Sequence, residues 1–195
     1  ATGSFRDILA AVNSRSVLLG VAGKTVRVFV YQGLTAFLPT YLIVTKDVGE
    51  FTASVLLALA FVSGAVAQVV GGRAVSLYGE RRVLVSLAVV SMFPILALPF
   101  VSSVAAITAV VILIGVQLGI TPVTNTYIID ALPAESRNGA WGFLRTGYFV
   151  VASTGSVFVG VLADAGYFDG AFLVLGGLLA VVAVIFTFLP NLGGD

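Results

Sequence analysis

Two cations interrupt an otherwise apolar stretch near the start of the chain. Lys24 and Arg27 stand inside GVAGKTVRVFVYQGLTAFLP, residues 20–39, and a third, Arg145, lies in the apolar run from 139 to 163. Gly-Lys-Thr at 23–25 suggests a phosphate loop, which needs a first glycine five positions before the second so that backbone N–H groups can curl round the phosphates. That position holds Leu18, and the nearest glycine is Gly20. Val17, Leu18 and Leu19 also run without a break into the residues that follow, so no strand-turn-helix context exists. The nucleotide reading fails, and the cations need another explanation.

Helical spacing gathers Lys24, Arg27, Tyr31 and Thr35 into one narrow arc, with Gln32 beside it as a further polar candidate. Gln117, Thr121, Thr124 and Asn125 share a second arc, with Pro122 among them. A proline there frees a carbonyl and breaks the helix locally, which is tolerated where polar groups or water satisfy it. Arg145 shares a face with Tyr148 and Ser156. Ser63, Ala67 and Gly71 form a small-residue stripe suited to close helix packing, and Gln68 and Ser54 fall off it toward a cavity. Each cation also has a plainer reading. Lys24 can snorkel, Arg27 can join an ion pair, and Arg145 can pair with Asp130 or Glu135.

Composition says what holds these residues. Of 195 residues 59% are hydrophobic and 10% charged, against about 25% charged in a soluble domain. Runs long enough to cross about 30 Å of hydrocarbon recur at 16–44, 51–72, 83–101, 104–129, 139–163 and 170–189. The expected class is an all-α integral membrane protein with six transmembrane helices, residues 1–195 forming one bundle. Arg27 lies eleven residues past Ser16, about 16 Å along a helix and near mid-bilayer. A cation there costs at least ~2.5–3.5 kcal/mol, so a partner or a cavity is expected.

Outside the spans, Arg6, Arg15, Arg73, Arg81, Arg82 and Arg137 fall on one side and Lys46 alone on the other. This positive-inside bias puts both termini in the cytoplasm and the chain in the cell membrane. Trp141 and Tyr78 on the inner side, and Tyr41 and Tyr167 on the outer, read as interfacial anchors. Spans one to three and four to six then form two inverted three-helix repeats, a transporter pattern. The third and sixth spans carry almost no polar side chains and are expected to face lipid.

The chain has no cysteine and no histidine. Thiolate and imidazole chemistry and most transition-metal sites are excluded, and no cofactor or metal is expected. Asp130 and Asp164 lie only at span boundaries, so acid–base catalysis has no candidates at depth and an enzyme is the least favoured class. The start at Ala1, with Met92 the sole methionine, reads as a fragment or processed product, and the mostly polar first fifteen residues as no signal peptide.

Three segments carry a family resemblance. GGRAVSLYGERR (71–82) resembles the glycine- and arginine-rich cytoplasmic loop of the major facilitator superfamily. Gly72, Gly79, Arg81 and Arg82 match it, while Ser76 stands in place of an Asp and Glu80 in place of a basic residue. GVLADAG (160–166) is similar to the equivalent later turn, and RVFVYQGLTAFLPTYL (27–42) looks like the seventh helix of drug- and anion-exporting members. The resemblance covers essentially the whole chain as the C-terminal half of a twelve-helix transporter. It implies a central cavity lined by helices one, two, four and five, rocker-switch alternating access, coupling to a proton or counter-substrate, and a gating role for the 71–82 loop. The partners implied are a small-molecule substrate, the N-terminal six-helix half and the lipid bilayer, with no nucleic acid. From the cations, Lys24, Arg27 and Arg145 are expected to attract an anion, helped by Tyr31, Gln32, Thr35, Gln117, Thr121 and Asn125. Transport of neutral or lipophilic compounds and a non-transporting scaffold are the alternatives.

Overall fold

Hydrophobic runs bounded by glycine, proline and charge become helices throughout the computed structural model, which describes residues 13–191. Ala1, Arg6 and Asp195, used above for orientation, lie outside the described residues. Helix α1 spans Arg15–Lys46. It opens on Ser14, whose hydroxyl accepts from the Val17 N–H, and closes at Asp47 in the left-handed region (φ 55°). This unbroken helix holds Gly23, Lys24 and Thr25, and the Thr25 hydroxyl donates to the Val21 carbonyl, so the rejected phosphate loop is absent.

Helix α2 spans Glu50–Tyr78 and α3 spans Glu80–Ala97, continued by a 3₁₀ turn at Leu98–Phe100. The expected ten-residue loop at 73–82 is therefore one residue. Gly72 does not close the second helix; Arg73 to Tyr78 contain no breaker and carry it two turns further. Gly79, at φ 78°, makes the turn that a side chain would strain.

The fourth span is α4 (Val104–Ile114), a 3₁₀ segment (Gly115–Gly119) and α5 (Ile120–Asp130). The tightening falls just before Pro122, which sits in the first turn of α5. Its missing N–H and its ring both disfavour an α-bond to the Leu118 carbonyl, so i→i+3 bonding takes over there. The fifth span is also divided, at Ser153, into α6 (Arg137–Ala152) and α7 (Thr154–Asp164). Helix α8 spans Phe168–Thr187.

Six spans among the described residues are thus long and apolar enough to cross a bilayer. Their packing shows the inverted repeat directly. The first span packs on the fifth as the second packs on the fourth; the first on the sixth as the third on the fourth; and the third and sixth on each other. Exchanging spans one to three with four to six maps this set of pairs onto itself. Glycines make both crossings. A Cβ on Gly155 would strike the Phe29 backbone and one on Gly33 the Gly155 carbonyl at 2.8 Å. At the other crossing, a Cβ on Gly115 would strike the Ala60 carbonyl and the Ser63 hydroxyl, and one on Gly119 the Ala67 carbonyl at 2.8 Å.

The third and sixth spans are not simply lipid-facing. Each turns one apolar face outward (Val90, Phe93, Val181, Val184), but the other builds the core: Leu84, Ala88 and Ile95 from α3, Phe172, Leu175, Leu179 and Phe186 from α8. A span without polar residues cannot line a wet cavity, yet its inner face still packs against its neighbours. Tyr41 is likewise no interfacial anchor. It is fully buried, packed edge-on to Phe168 and tilted against Phe172, with its hydroxyl donating to Asp169.

Candidate functional site: a basic, aromatic cavity

Where α1 passes α5 and α6, the bundle leaves a cavity of ≈350 Å³. Helix α1 contributes Lys24, Arg27 and Tyr31 at i, i+3 and i+7; α5 contributes Thr121 and Asn125; α6 contributes Trp141, Arg145, Tyr148 and Phe149; and α2 contributes Gln68. Among the described residues, no Asp or Glu lines it. Both α1 cations are almost wholly covered, Lys24 at 3% exposure and Arg27 at 4%.

Lys24 does not snorkel. Its ammonium donates to the Asn125 side-chain carbonyl and lies over two rings, 5.0 Å from the Tyr148 centroid and 5.8 Å from that of Trp141. Arg27 donates from Nη2 to the Gln117 carbonyl at 3.1 Å and lies 5.1 Å above the Tyr31 ring. That carbonyl also takes the Ile120 N–H within the 3₁₀ segment, so the break in the fourth span supplies the acceptor for the deepest cation. Arg145 does not pair with Asp130 or Glu135. It is exposed and sits 5.9 Å from the Phe149 ring. Each cation is thus backed by an aromatic face, an attraction worth ~0.5–2 kcal/mol that leaves its charge in place. Arg27 Nε, Thr121 Oγ1 and Gln117 Oε1 are buried without a hydrogen-bond partner.

Other expected residues lie elsewhere. Gln117 and Thr35 border a smaller, mainly apolar recess further along α1, which Tyr31 and Leu118 separate from the cavity. The Thr35 hydroxyl donates to the Tyr31 carbonyl. Gln32 borders neither space, because one step beyond Tyr31 on a helix turns it about 100° away. Thr124 is buried and bonds the Ile120 carbonyl, and Ser54 is exposed and bonds the Glu50 carbonyl. The divided fifth span sets Ser156 outside the cavity, bonded to the Ser153 carbonyl. Gly79, Arg81 and Arg82 border a separate cleft at the α2–α3 turn. Trp141, read from sequence as an interfacial anchor, is a cavity residue. The signal was its spacing, four before Arg145 and seven before Tyr148.

The Major Facilitator Superfamily model matches residues 25–192. The chain belongs to this superfamily. No curated protein matches it. Among solved structures, this superfamily chain is similar to the E. coli fucose:proton symporter FucP, seen in a point variant and in the outward conformation. Both comparisons give a TM-score of 0.79 at 18% identity, covering 96% of this chain and 46% of FucP. The chain therefore spans about half the length of the transporter it matches, and at this identity the likeness establishes the fold.

Proposed function

We propose that this chain is the C-terminal six-helix half of a secondary transporter and that its cavity receives a small anion. The observation that supports the reading is the lining: Lys24, Arg27 and Arg145 converge on one space to which no carboxylate of the described residues contributes. Aromatic rings shield these charges without neutralising them, so a substrate carboxylate or phosphate would supply the missing counter-charge. Arg145, exposed at the rim, meets the anion first. Arg27, deeper and held by the Gln117 carbonyl, presents the rest of its planar fork, a geometry suited to bidentate oxyanion binding. In this reading the chain is one half of a carrier, which superfamily membership and the six-span fold support.

Two inverted repeats form only one bundle, and alternating access needs a second bundle rocking about a shared site. The isolated chain is therefore not expected to transport in liposomes. The ends of the spans at Arg15, Gly79, residues 131–136 and Thr187 are assigned to the cytoplasm on the positive-inside bias. Ser76→Cys, an exposed position in a cysteine-free chain, should be labelled by an impermeant reagent only from that side.

The deciding test is uptake by the full-length transporter in proteoliposomes. A panel of labelled mono- and dicarboxylates, organophosphates and neutral sugars would be offered. The anion reading holds if one panel anion is transported and competes with the rest. It fails if a neutral sugar is carried and no anion competes, the outcome favoured if carboxylates of the other half neutralise the cations and the aromatic lining packs on an uncharged substrate.

A further inference from the structure

Gly79 alone joins α2 to α3, yet the two helices part as they leave it. Helix α2 is drawn to the fourth span, where Ala60, Ser63 and Ala67 receive Gly115 and Gly119. Helix α3 is drawn to α8, where Leu96 lies over Gly176. Two neighbours tied at one end and pulled toward different partners must leave a wedge between them. That wedge is a groove of ≈410 Å³ with Gly71 and Ala74 on one wall and Val83, Ser86 and Leu87 on the other. It runs from Val70 to Tyr78, about 12 Å of helix, from the apolar part of the second span to the polar turn.

At the turn the groove changes character. Tyr78 and Arg82 border both it and an adjoining polar cleft of ≈470 Å³, which adds Glu80, Arg81 and Asn191. Arg81 and Arg82 are exposed there, and against Glu80 they leave the cleft one positive charge in excess among the described residues. An apolar groove that opens at the turn into a net-positive cleft matches the upper acyl chain and headgroup of a phospholipid in polarity and charge.

We propose that this composite cleft binds one anionic phospholipid, with its phosphate between Arg81 and Arg82 and an acyl chain along the α2–α3 groove. The missing side chain of Gly71 and the single methyl of Ala74 give the acyl chain its room. The charge excess selects an anionic headgroup over a zwitterionic one, and the site is independent of the cation cavity on the far side of α2.

The full-length transporter would be reconstituted with equal phosphatidylglycerol and phosphatidylcholine, extracted, and its retained lipids counted by native mass spectrometry. Phosphatidylglycerol should be retained preferentially. Arg81→Gln and Arg82→Gln should each lower that preference about fivefold, as expected for a basic residue at a membrane surface. Ala74→Phe, which fills the groove, should remove both lipids with the gel-filtration profile unchanged; Ser86→Phe does the same from the other wall if Ala74→Phe misfolds. Equal retention of the two lipids, or retention indifferent to these variants, overturns the proposal. So does efficient cross-linking of Ser86→Cys to the other half of the transporter, because the groove would then be covered by protein.

Discussion

Arg27→Gln separates a binding role from a structural one, and the structure sets the size of both effects. The substitution removes the guanidinium's bond to the Gln117 carbonyl and its contact with Tyr31. A charged hydrogen bond contributes about 1.5–3 kcal/mol, and a desolvated cation–π contact about 2 kcal/mol. Against this, a cation within the bilayer is relieved, which returns about 2.5–3.5 kcal/mol. These effects nearly offset, leaving a net loss of about 1–2 kcal/mol, small enough for the variant to insert and fold. Anion binding has no such offset, since removing one partner of a buried, hydrogen-bonded charge pair costs about 2–5 kcal/mol. Affinity should therefore fall about 30-fold or more. The assay is isothermal titration of the full-length transporter with whichever panel anion stabilises the wild type most, beside thermal unfolding of the ligand-free variant. Arg27→Lys keeps the charge but loses the fork, and should fall between wild type and Arg27→Gln in affinity. Normal anion affinity in Arg27→Gln would refute the reasoning. So would recovery of function only when an acidic residue of the other half is neutralised as well, since Arg27 would then be a member of a structural ion pair.

The Lys24–Asn125 bond predicts an asymmetric pair of variants: Asn125→Leu should destabilise by about 1–3 kcal/mol, because it strands a buried ammonium, while Lys24→Met combined with it should restore stability. Denaturant unfolding of the single and double variants checks this, and no rescue in the double would exclude the pairing. Gly79 and Gly72 should behave oppositely: Gly79→Ala, at φ 78° and ψ 156°, should cost about 1–3 kcal/mol of unfolding free energy, whereas Gly72→Ala, helical with open space around its Cβ, should be neutral or stabilising in the same measurement. At the crossing of the first and fifth spans, Gly155→Val should abolish the monodisperse gel-filtration peak, since its Cβ meets immovable Phe29 backbone; Gly177→Ala, with nothing within 4 Å, should leave the peak unchanged.

Local chemistry was legible in one dimension. The insertion threshold is set by length and apolarity, so the six spans were readable to within a few residues at most ends. Periodicity put Lys24, Arg27 and Tyr31 on one face, Thr121 and Asn125 on another, and Arg145 and Tyr148 on a third, because an α-helix fixes those angles without help from neighbours. The loop at 73–82 is shorter than expected because charge and glycine end an apolar run without ending a helix, and α2 continues to Tyr78. What the tertiary structure alone decided is how those faces meet. Which carbonyl receives Arg27 depends on how the 3₁₀ segment at Gly115–Gly119, which Pro122 favours, comes to lie against α1. Whether Lys24 snorkels or stays buried depends on Asn125, Trp141 and Tyr148, which lie about a hundred residues or more away along the chain. Gln32 has the right chemistry and the wrong direction, for one residue turns a side chain by about 100°; Thr35 and Gln117 lie further along the bundle, in the recess beyond Tyr31 and Leu118. Sequence determines which side chains a helix offers to each side; the packing of six helices, through small residues that permit backbone contact, determines which side becomes the cavity.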